Sequence, residues 1–394
     1  MSMEQISQIE LGRRLKTARE SAGVTQNEAA DAITVARTTL VAMEKGDRRV
    51  RIEELQALAR LYGVSANGLL RREAVHVDLL PRFRRLSDVA DPEVLETARL
   101  LNDLIAAEVE LENLLGFERR YAYPPQKPLR SGNVYAQAEQ DAAELRQAYG
   151  LGIGAVPDIF SFIELTLGIR LYQRRLPSKI SGLFTYEASV GAAIMLNANH
   201  PVTRRRNSAA HELGHFVATR DAPEVLETDE LFTSREERYA NAFARAFLTP
   251  AGAVRAMFDQ FKAGGESHLT RRIVILMADT FGVSPEAMVK RLEGLDLAPK
   301  GSWDWFLDRG GITKADIEKV LGVRPPEPDE DKRQADQLFS PKIGLMAYRA
   351  WKRELLTEGQ LADLLKVDRP SLRAFLYDLQ SEESEADELL KLPQ

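Results

Sequence analysis

Apolar residues near the start of the chain recur three and four apart in short blocks: Leu11 to Ala22, Gln26 to Ile33, Arg37 to Lys45, Arg51 to Tyr62, and a last piece near Ala66 to Leu70. That spacing puts them on one face of a helix, and Gly23, Gly46 and Gly63 punctuate the blocks, so the pattern predicts five small helices within about 60 residues. Thr25 has Glu28 three positions on, the spacing of a capping box, and Ser65 can cap the fifth helix. Leu15, Ala18, Ala29, Ile33, Leu40 and Leu58 fall on the helix faces and read as core.

Beyond a basic patch at Arg82, Arg84 and Arg85, a long helix is expected from about Asp91 to Gly116. In it Leu100, Leu104, Ala107, Leu111 and Leu114 alternate four and three apart, the spacing of a two-helix seam, so it is read either as a homodimer contact or as a stripe packed on the chain's own next domain. The run Tyr123-Pro124-Pro125-Gln126-Lys127-Pro128 breaks the pattern and reads as a linker. Helices are then expected from Ala136 to Tyr149 and around Pro157 to Leu167, and β-like segments near Ile169 to Gln173, Gly182 to Tyr186 and Ala192 to Leu196. Helices follow, a Pro-rich acidic stretch from Arg324 to Asp331 marks another boundary, and helices from Ser340 to Leu379 lead to a solvated acidic end at Glu382 to Glu388.

One internal echo stands out. At a constant offset of 332, Thr25, Ala30, Asp31, Ile33, Val35, Arg37 and Leu40 meet Thr357, Ala362, Asp363, Leu365, Val367, Arg369 and Leu372. A helix-turn-helix hairpin is expected in both places, and the apolar spacing shared by helical hairpins is the preferred account over DNA contact by the second copy.

Composition sharpens this picture in two ways. The 394 residues contain no cysteine and five histidines, which excludes disulfide scaffolds and thiolate metal sites, so any metal must be held by His, Asp or Glu. The net charge of −6 averages +3 over residues 1–72 and −9 over the rest, so the basic character sits in the N-terminal helices. With no signal-like start and no run of 18 or more apolar residues, the expectation is a cytoplasmic protein without a membrane partner.

The sharpest chemistry is His211-Glu212-Leu213-Gly214-His215, read as the start of a helix. Histidines at i and i+4 share one face and can meet one Zn²⁺, while Glu212 can serve as the base of a metal-assisted hydrolysis. Two ligands hold an ion weakly, so a third is sought downstream. Glu237 in Glu237-Arg238-Tyr239-Ala240-Asn241 shares a face with Asn241 and is the first choice, Glu236 the runner-up, and His268 reads as an exposed residue. Zn²⁺ is the expected ion and Mn²⁺ the alternative. The strand Ala192 to Leu196 could be an edge to which a substrate peptide adds, though a plain structural strand is preferred; His200 and Arg204, Arg205 and Arg206 read as a solvated basic loop before the metal helix.

From about Ala136 to Leu297 the chain resembles the ImmA/IrrE metallopeptidases, through Met195-Leu196-Asn197, then His211 to His215, then Glu237 to Ala244 running into Phe247-Leu248-Thr249-Pro250. The resemblance implies a gluzincin-like zinc site with His211, His215 and Glu237 as ligands and Glu212 as base, and protein substrates, often helix-turn-helix repressors cut under stress or phage induction. Tyr239 stands where such chains commonly carry a second acid.

Residues 9–71 resemble the Cro/Xre-type helix-turn-helix family through Thr25-Gln26, Ala30, Thr38-Thr39-Leu40 and Glu44-Lys45-Gly46. By that resemblance Arg37, Thr38, Val41, Ala42 and Gln26 face the bases of a double-stranded operator, and Lys45, Arg48 and Arg49 its phosphates. Ala36 replaces the usual capping Ser, and Thr34 the usual turn Gly.

The expected protein is therefore mainly α with a small β-sheet: a five-helix lambda-repressor-like domain (1–75), a helical linker (76–130), a gluzincin-like metallopeptidase domain (131–323) and a C-terminal helical region (324–394). It is read as a DNA-binding regulator that cleaves a repressor-like protein or itself. A metal- or ligand-sensing transcription factor without hydrolytic activity and an antitoxin-like interaction module are the alternatives.

Overall fold

The computed structural model describes residues 8–64, 66, 69, 92–119, 121–220, 224–227, 234–265, 268–323 and 339–389. The expected fifth N-terminal helix with its cap Ser65, the arginines at 82, 84 and 85, and the Pro-rich acidic stretch lie wholly or largely outside those residues. The chain divides into two compact units, Met1–His76 and Val77–Gln394.

In the first unit, four helices surround a small core: α1 (Gln8–Ser21), α2 (Gln26–Ala32), α3 (Arg37–Lys45) and α4 (Ile52–Tyr62). Leu15, Leu40, Met43 and Leu58 are fully buried at its centre. The Thr25 side chain accepts from the Glu28 backbone and Glu28 answers to the Thr25 backbone, completing the capping box that starts α2. The two sequence departures have structural consequences. Thr34 turns the chain between α2 and α3 with φ +56°, a conformation unfavourable to a β-branched residue, and Ala36 starts α3 with no side-chain cap.

The second unit begins with α5 (Pro92–Leu115) and α6 (Val134–Ala148), followed by a helical turn Ile159–Ser161 that widens into a π-helical turn Phe162–Thr166. Strands β1 (Arg170–Arg174), β2 (Ile180–Glu187) and β3 (Gly191–Asn197) precede α7 (Val202–Ala218), and β4 (Glu224–Glu227) separates it from α8 (Arg235–Leu248). Then come α9 (Ala251–Ala263), α10 (Arg271–Phe281), α11 (Pro285–Gly294), α12 (Ser302–Leu307), α13 (Lys314–Leu321), α14 (Pro341–Lys352), α15 (Glu358–Leu365) and α16 (Arg369–Leu389). The sheet order is β1-β3-β2-β4, with β1 parallel to β3 and the other pairs antiparallel. Helix α7 packs on β2 and β3 and on α8, and α8 packs on α6. Phe184 of β2, Phe216 of α7 and Phe243 of α8 meet in the fully buried core between these layers.

Three readings of this unit need correction, and one preference holds. The segment Ala192 to Leu196 is the plain structural strand preferred over an edge: β3 is paired on both sides, so its backbone groups have no room for an added strand. The metal helix starts nine residues before His211, at Val202, and the motif occupies its second half. The arginines ahead of the motif are thus helical, and only Arg204 is exposed. Arg206 is buried because its guanidinium donates to the carbonyls of Val156, Pro157 and Gly282, and Arg205 because it donates to His200 O and Gln173. The proline-rich run is no free linker. Lys127 N donates to Val217 O at 2.8 Å, Gln126 to Ala218 O at 3.0 Å, and Arg220 to Pro124 O at 2.8 Å, so the run is strapped across the end of α7.

The α5 stripe is covered by its own chain. Leu104, Ala107 and Leu111 are buried, Leu100 and Leu114 half-buried, and α5 packs against α14 and α15. Two acids on this helix, Glu108 and Glu112, are also buried. Arg170 of β1 makes a fork onto Glu112 at 2.8 and 3.0 Å and meets Glu108 at 2.6 Å; Lys342 of α14 reaches Glu108 at 2.7 Å, and the Tyr172 hydroxyl donates to it at 2.7 Å. No described helix is long and apolar enough to cross a membrane.

Candidate functional site

The i, i+4 spacing on α7 and the close approach of α8 bring three donors together. His211 Nε2 lies 3.1 Å from His215 Nε2, 3.3 Å from Glu237 Oε2, and Glu237 Oε1 lies 3.2 Å from His215 Nε2. The approach depends on Gly214: a Cβ there would stand 2.9 Å from Ala240 Cα, so the motif's own glycine lets the two helix backbones meet. Both histidines are 1% exposed and the Glu237 side chain 20%.

Second partners fix the imidazole tautomers. Asn241 Nδ2 donates to Glu237 O at 3.0 Å, which turns Asn241 Oδ1 toward His211 Nδ1 at 3.3 Å. Thr219 donates its hydroxyl to His215 O, leaving its oxygen to accept from His215 Nδ1 at 3.1 Å. Both rings then carry the proton on Nδ1 and present bare Nε2 lone pairs to each other. Burial pushes His215 below the ordinary histidine range, keeping it neutral.

Three electron-rich atoms thus converge with no proton between them. Donors about 2.0–2.1 Å from one tetrahedral ion stand about 3.3 Å apart, and the three separations of 3.1, 3.2 and 3.3 Å match that requirement. The donor set of two neutral imidazoles and one carboxylate fits a divalent ion such as Zn²⁺, and these residues form the His/Glu cluster found among the described residues.

Glu212 is fully buried beside this cluster, against β2. Gly182 makes its space: a Cβ there would stand 2.8 Å from Glu212 Oε1. Glu236 is half-buried and outside the cluster, His268 is exposed, and His200 is buried. Tyr239 serves packing: 1% exposed, it donates to the buried Asp141 of α6 at 2.9 Å. Thr219 and Gly182 were missed from sequence. Thr219 carried a signal, standing one turn beyond His215; Gly182 carried none, because its role depends on strand β2 lying under α7.

In the first unit, Arg37 and Thr38 at the start of α3 and Lys45 at its end are exposed, and Val41 and Ala42 half-exposed. Arg37 donates to Gln26 Oε1 at 3.1 and 3.2 Å, and Gln26 Nε2 to Glu44 at 3.1 Å, so the two helices are tied side chain to side chain. Glu44 is buried against Arg19 at 2.6 Å. Arg49 is exposed, whereas Arg48 is forked onto Glu54 at 2.9 and 3.2 Å and would have to leave that pair to reach a phosphate.

A helix-turn-helix unit on one chain with an HExxH helix facing a glutamate-bearing helix defines a DNA-binding regulator of the helix-turn-helix type with an IrrE/ImmA-like domain, and the chain belongs to that family. The family described as helix-turn-helix domain matches residues 10–73, and the IrrE N-terminal-like domain, a family typically of metallopeptidases, matches residues 165–293. The HTH-type transcriptional regulator ImmR of Bacillus subtilis (strain 168) is 34% identical over 107 residues, spanning 23% of this chain and 84% of that protein. Among solved structures, ComR from Streptococcus suis aligns over 96% of each chain at 10% identity and a TM-score of 0.16, a likeness too weak to bear on fold or function.

Proposed function

We propose that the second unit is a metal-dependent peptidase, with His211, His215 and Glu237 holding Zn²⁺, or Mn²⁺ in its place, and that the helix-turn-helix unit brings it to an operator. The observation that carries this reading is the convergence of three donor atoms within 3.1–3.3 Å beside a buried glutamate. A divalent ion bound there supplies Lewis-acid chemistry, activating water and polarising a peptide carbonyl. The protein's own part is positional and protolytic. Asn241 and Thr219 hold the two imidazoles with Nε2 inward, and Glu212 takes a proton from water and returns it to the departing amine. Gly182 lets the Glu212 carboxylate lie flat against β2.

The substrate is read as a protein, a helix-turn-helix repressor or the chain itself, with DNA contacts from Gln26, Arg37, Thr38, Val41, Ala42, Lys45, Arg48 and Arg49. The test is metal analysis of the purified chain together with incubation against candidate repressors and alone. Glu212→Gln should keep the metal and lose cleavage; cleavage by that variant at the wild-type rate refutes the mechanism.

One observation favours a second reading, a metal or ligand sensor that hydrolyses nothing: Glu212 is 0% exposed. A coordination shell closed by a fourth protein ligand, in a protein that leaves every candidate substrate intact, would support the sensor.

A further inference from the structure

The C-terminal hairpin repeats several specific bonds of the N-terminal helix-turn-helix at the offset of 332. Thr25 and Thr357 both start their first helices with capping boxes, their backbone N–H groups donating to Glu28 at 2.8 Å and to Gln360 at 2.9 Å. The turns match as well: Thr34 has φ +56° and its counterpart Lys366 has φ +53°, although neither is glycine. After each turn residue the chain bonds back to the same place, Val35 N to Ala30 O and Val367 N to Ala362 O, both at 3.0 Å. Leu40 and Leu372 then enter their cores fully buried. Shared apolar spacing accounts for two helices; it does not require a strained non-glycine turn residue at the same position in both.

The exposed faces correspond too. The positions matching Arg37, Thr38, Val41, Ala42 and Lys45 are Arg369, Pro370, Arg373, Ala374 and Tyr377, and these five residues line a surface groove of about 500 Å³. A tie between the two helices is present in both hairpins, but in the second it is made by a carboxylate and mainly to a position one turn further along, that of Val41 rather than Arg37. Where Gln26 holds Arg37, Glu358 holds Arg373 at 2.8 Å and lies 3.7 Å from Arg369.

We propose that α15 and α16 form a second contact for duplex DNA, with Arg369 and Arg373 as its cationic donors, and that Glu358 weakens this contact by competing with phosphate for Arg373. The inference stands apart from the peptidase reading. A carboxylate at the Gln26-equivalent position keeps the second hairpin's affinity low, because Arg373 is engaged by Glu358 rather than by phosphate, so that this hairpin adds to binding set by the first.

The experiment is fluorescence anisotropy of the full chain on a 30-base-pair duplex of mixed sequence, across several salt concentrations. Glu358→Gln, which copies the first hairpin, should tighten binding about three- to five-fold at low salt and steepen the dependence of log affinity on log salt by about one. Arg369→Ala with Arg373→Ala should weaken binding and flatten that dependence. Arg37→Ala with Lys45→Ala, in the first hairpin, should weaken it further, which separates failure of the second contact from failure of DNA binding altogether. All these positions are at the surface or half-buried, and unchanged circular dichroism melting confirms the fold of each variant. Unchanged curves for both Glu358→Gln and the Arg369/Arg373 pair, as a face reserved for a protein partner would give, overturn the proposal.

Discussion

Replacing Gly214 by alanine tests whether the approach of α7 and α8 assembles the proposed metal site. The added methyl would stand 2.9 Å from Ala240 Cα and 3.4 Å from Ala240 Cβ. Carbon atoms pack at about 3.5–4.0 Å, so the helices must part locally by roughly 0.6–1 Å. Overpacking of this kind costs about 1–3 kcal/mol. Glu237 lies one turn before Ala240 on α8, and His211 and His215 flank Gly214 on α7, so the same movement opens the His–Glu separations of 3.2 and 3.3 Å. A site that tolerates about 0.5 Å should then lose on the order of 10- to 100-fold in zinc affinity. Competition against a chromophoric chelator measures the affinity, and thermal melting with and without zinc measures the coupling to folding. Gly252→Ala is the control, since a methyl there meets nothing within 4 Å. Zinc binding by Gly214→Ala at wild-type affinity, with an unchanged zinc-dependent rise in Tm, would refute the claim that helix proximity builds the site.

Two substitutions should stabilise the N-terminal unit: Thr34→Gly removes the strain of φ +56°, and Ala36→Ser supplies the missing cap of α3, each by about 0.5–1 kcal/mol. Slower amide exchange over residues 26–45 is the expected reading, and faster exchange in either variant contradicts it. A pH-dependent effect is expected at Glu164, whose carboxyl is raised to about 7, chiefly by burial, with the Glu108 charge adding to it. The folded state therefore holds this proton more tightly than the unfolded chain, so the group costs nothing below its unfolded value near 4.5, and the cost grows as pH rises to 7 and is complete above it. That interval corresponds to about 3 kcal/mol, so Glu164→Gln should raise the denaturation midpoint at pH 8 and leave it nearly unchanged at pH 4.5; equal effects at both would contradict the assignment.

The parts of this molecule that were legible in sequence are those whose geometry is local. His211 and His215 needed only the helical repeat, and Glu237 only its shared face with Asn241. The capping box at Thr25 and the irregular turn at Thr34 were likewise visible, because each depends on residues within a few positions. What escaped depends on partners far along the chain. Glu108 and Glu112, which carried no signal in sequence, are buried because Arg170 and Lys342, from β1 and α14, neutralise them. The arginines before the motif looked like a loop for the same reason: the carbonyls of Val156, Pro157 and Gly282 that take Arg206 are 50, 49 and 76 residues away.

The same contrast bears on how the second unit is held. Lys342 is the link between the C-terminal helices and the sheet: it touches both acids of α5, and those acids touch Arg170, which begins the strand parallel to β3. Beside β3 in the sheet lies β2 with Gly182, and against Gly182 lies Glu212. A continuous series of contacts therefore runs from Lys342 on α14, one helix before the second hairpin, to the glutamate beside the His/Glu cluster. Separating the buried Arg170 from Glu108 and Glu112 would leave uncompensated charge at a cost of about 3–5 kcal/mol, whereas the partly exposed Lys342 is screened by solvent and costs less to detach. The hairpin at α15 and α16 and the cluster on α7 and α8 thus belong to one compact unit, joined through Lys342, Arg170 and the strand layer that carries Gly182.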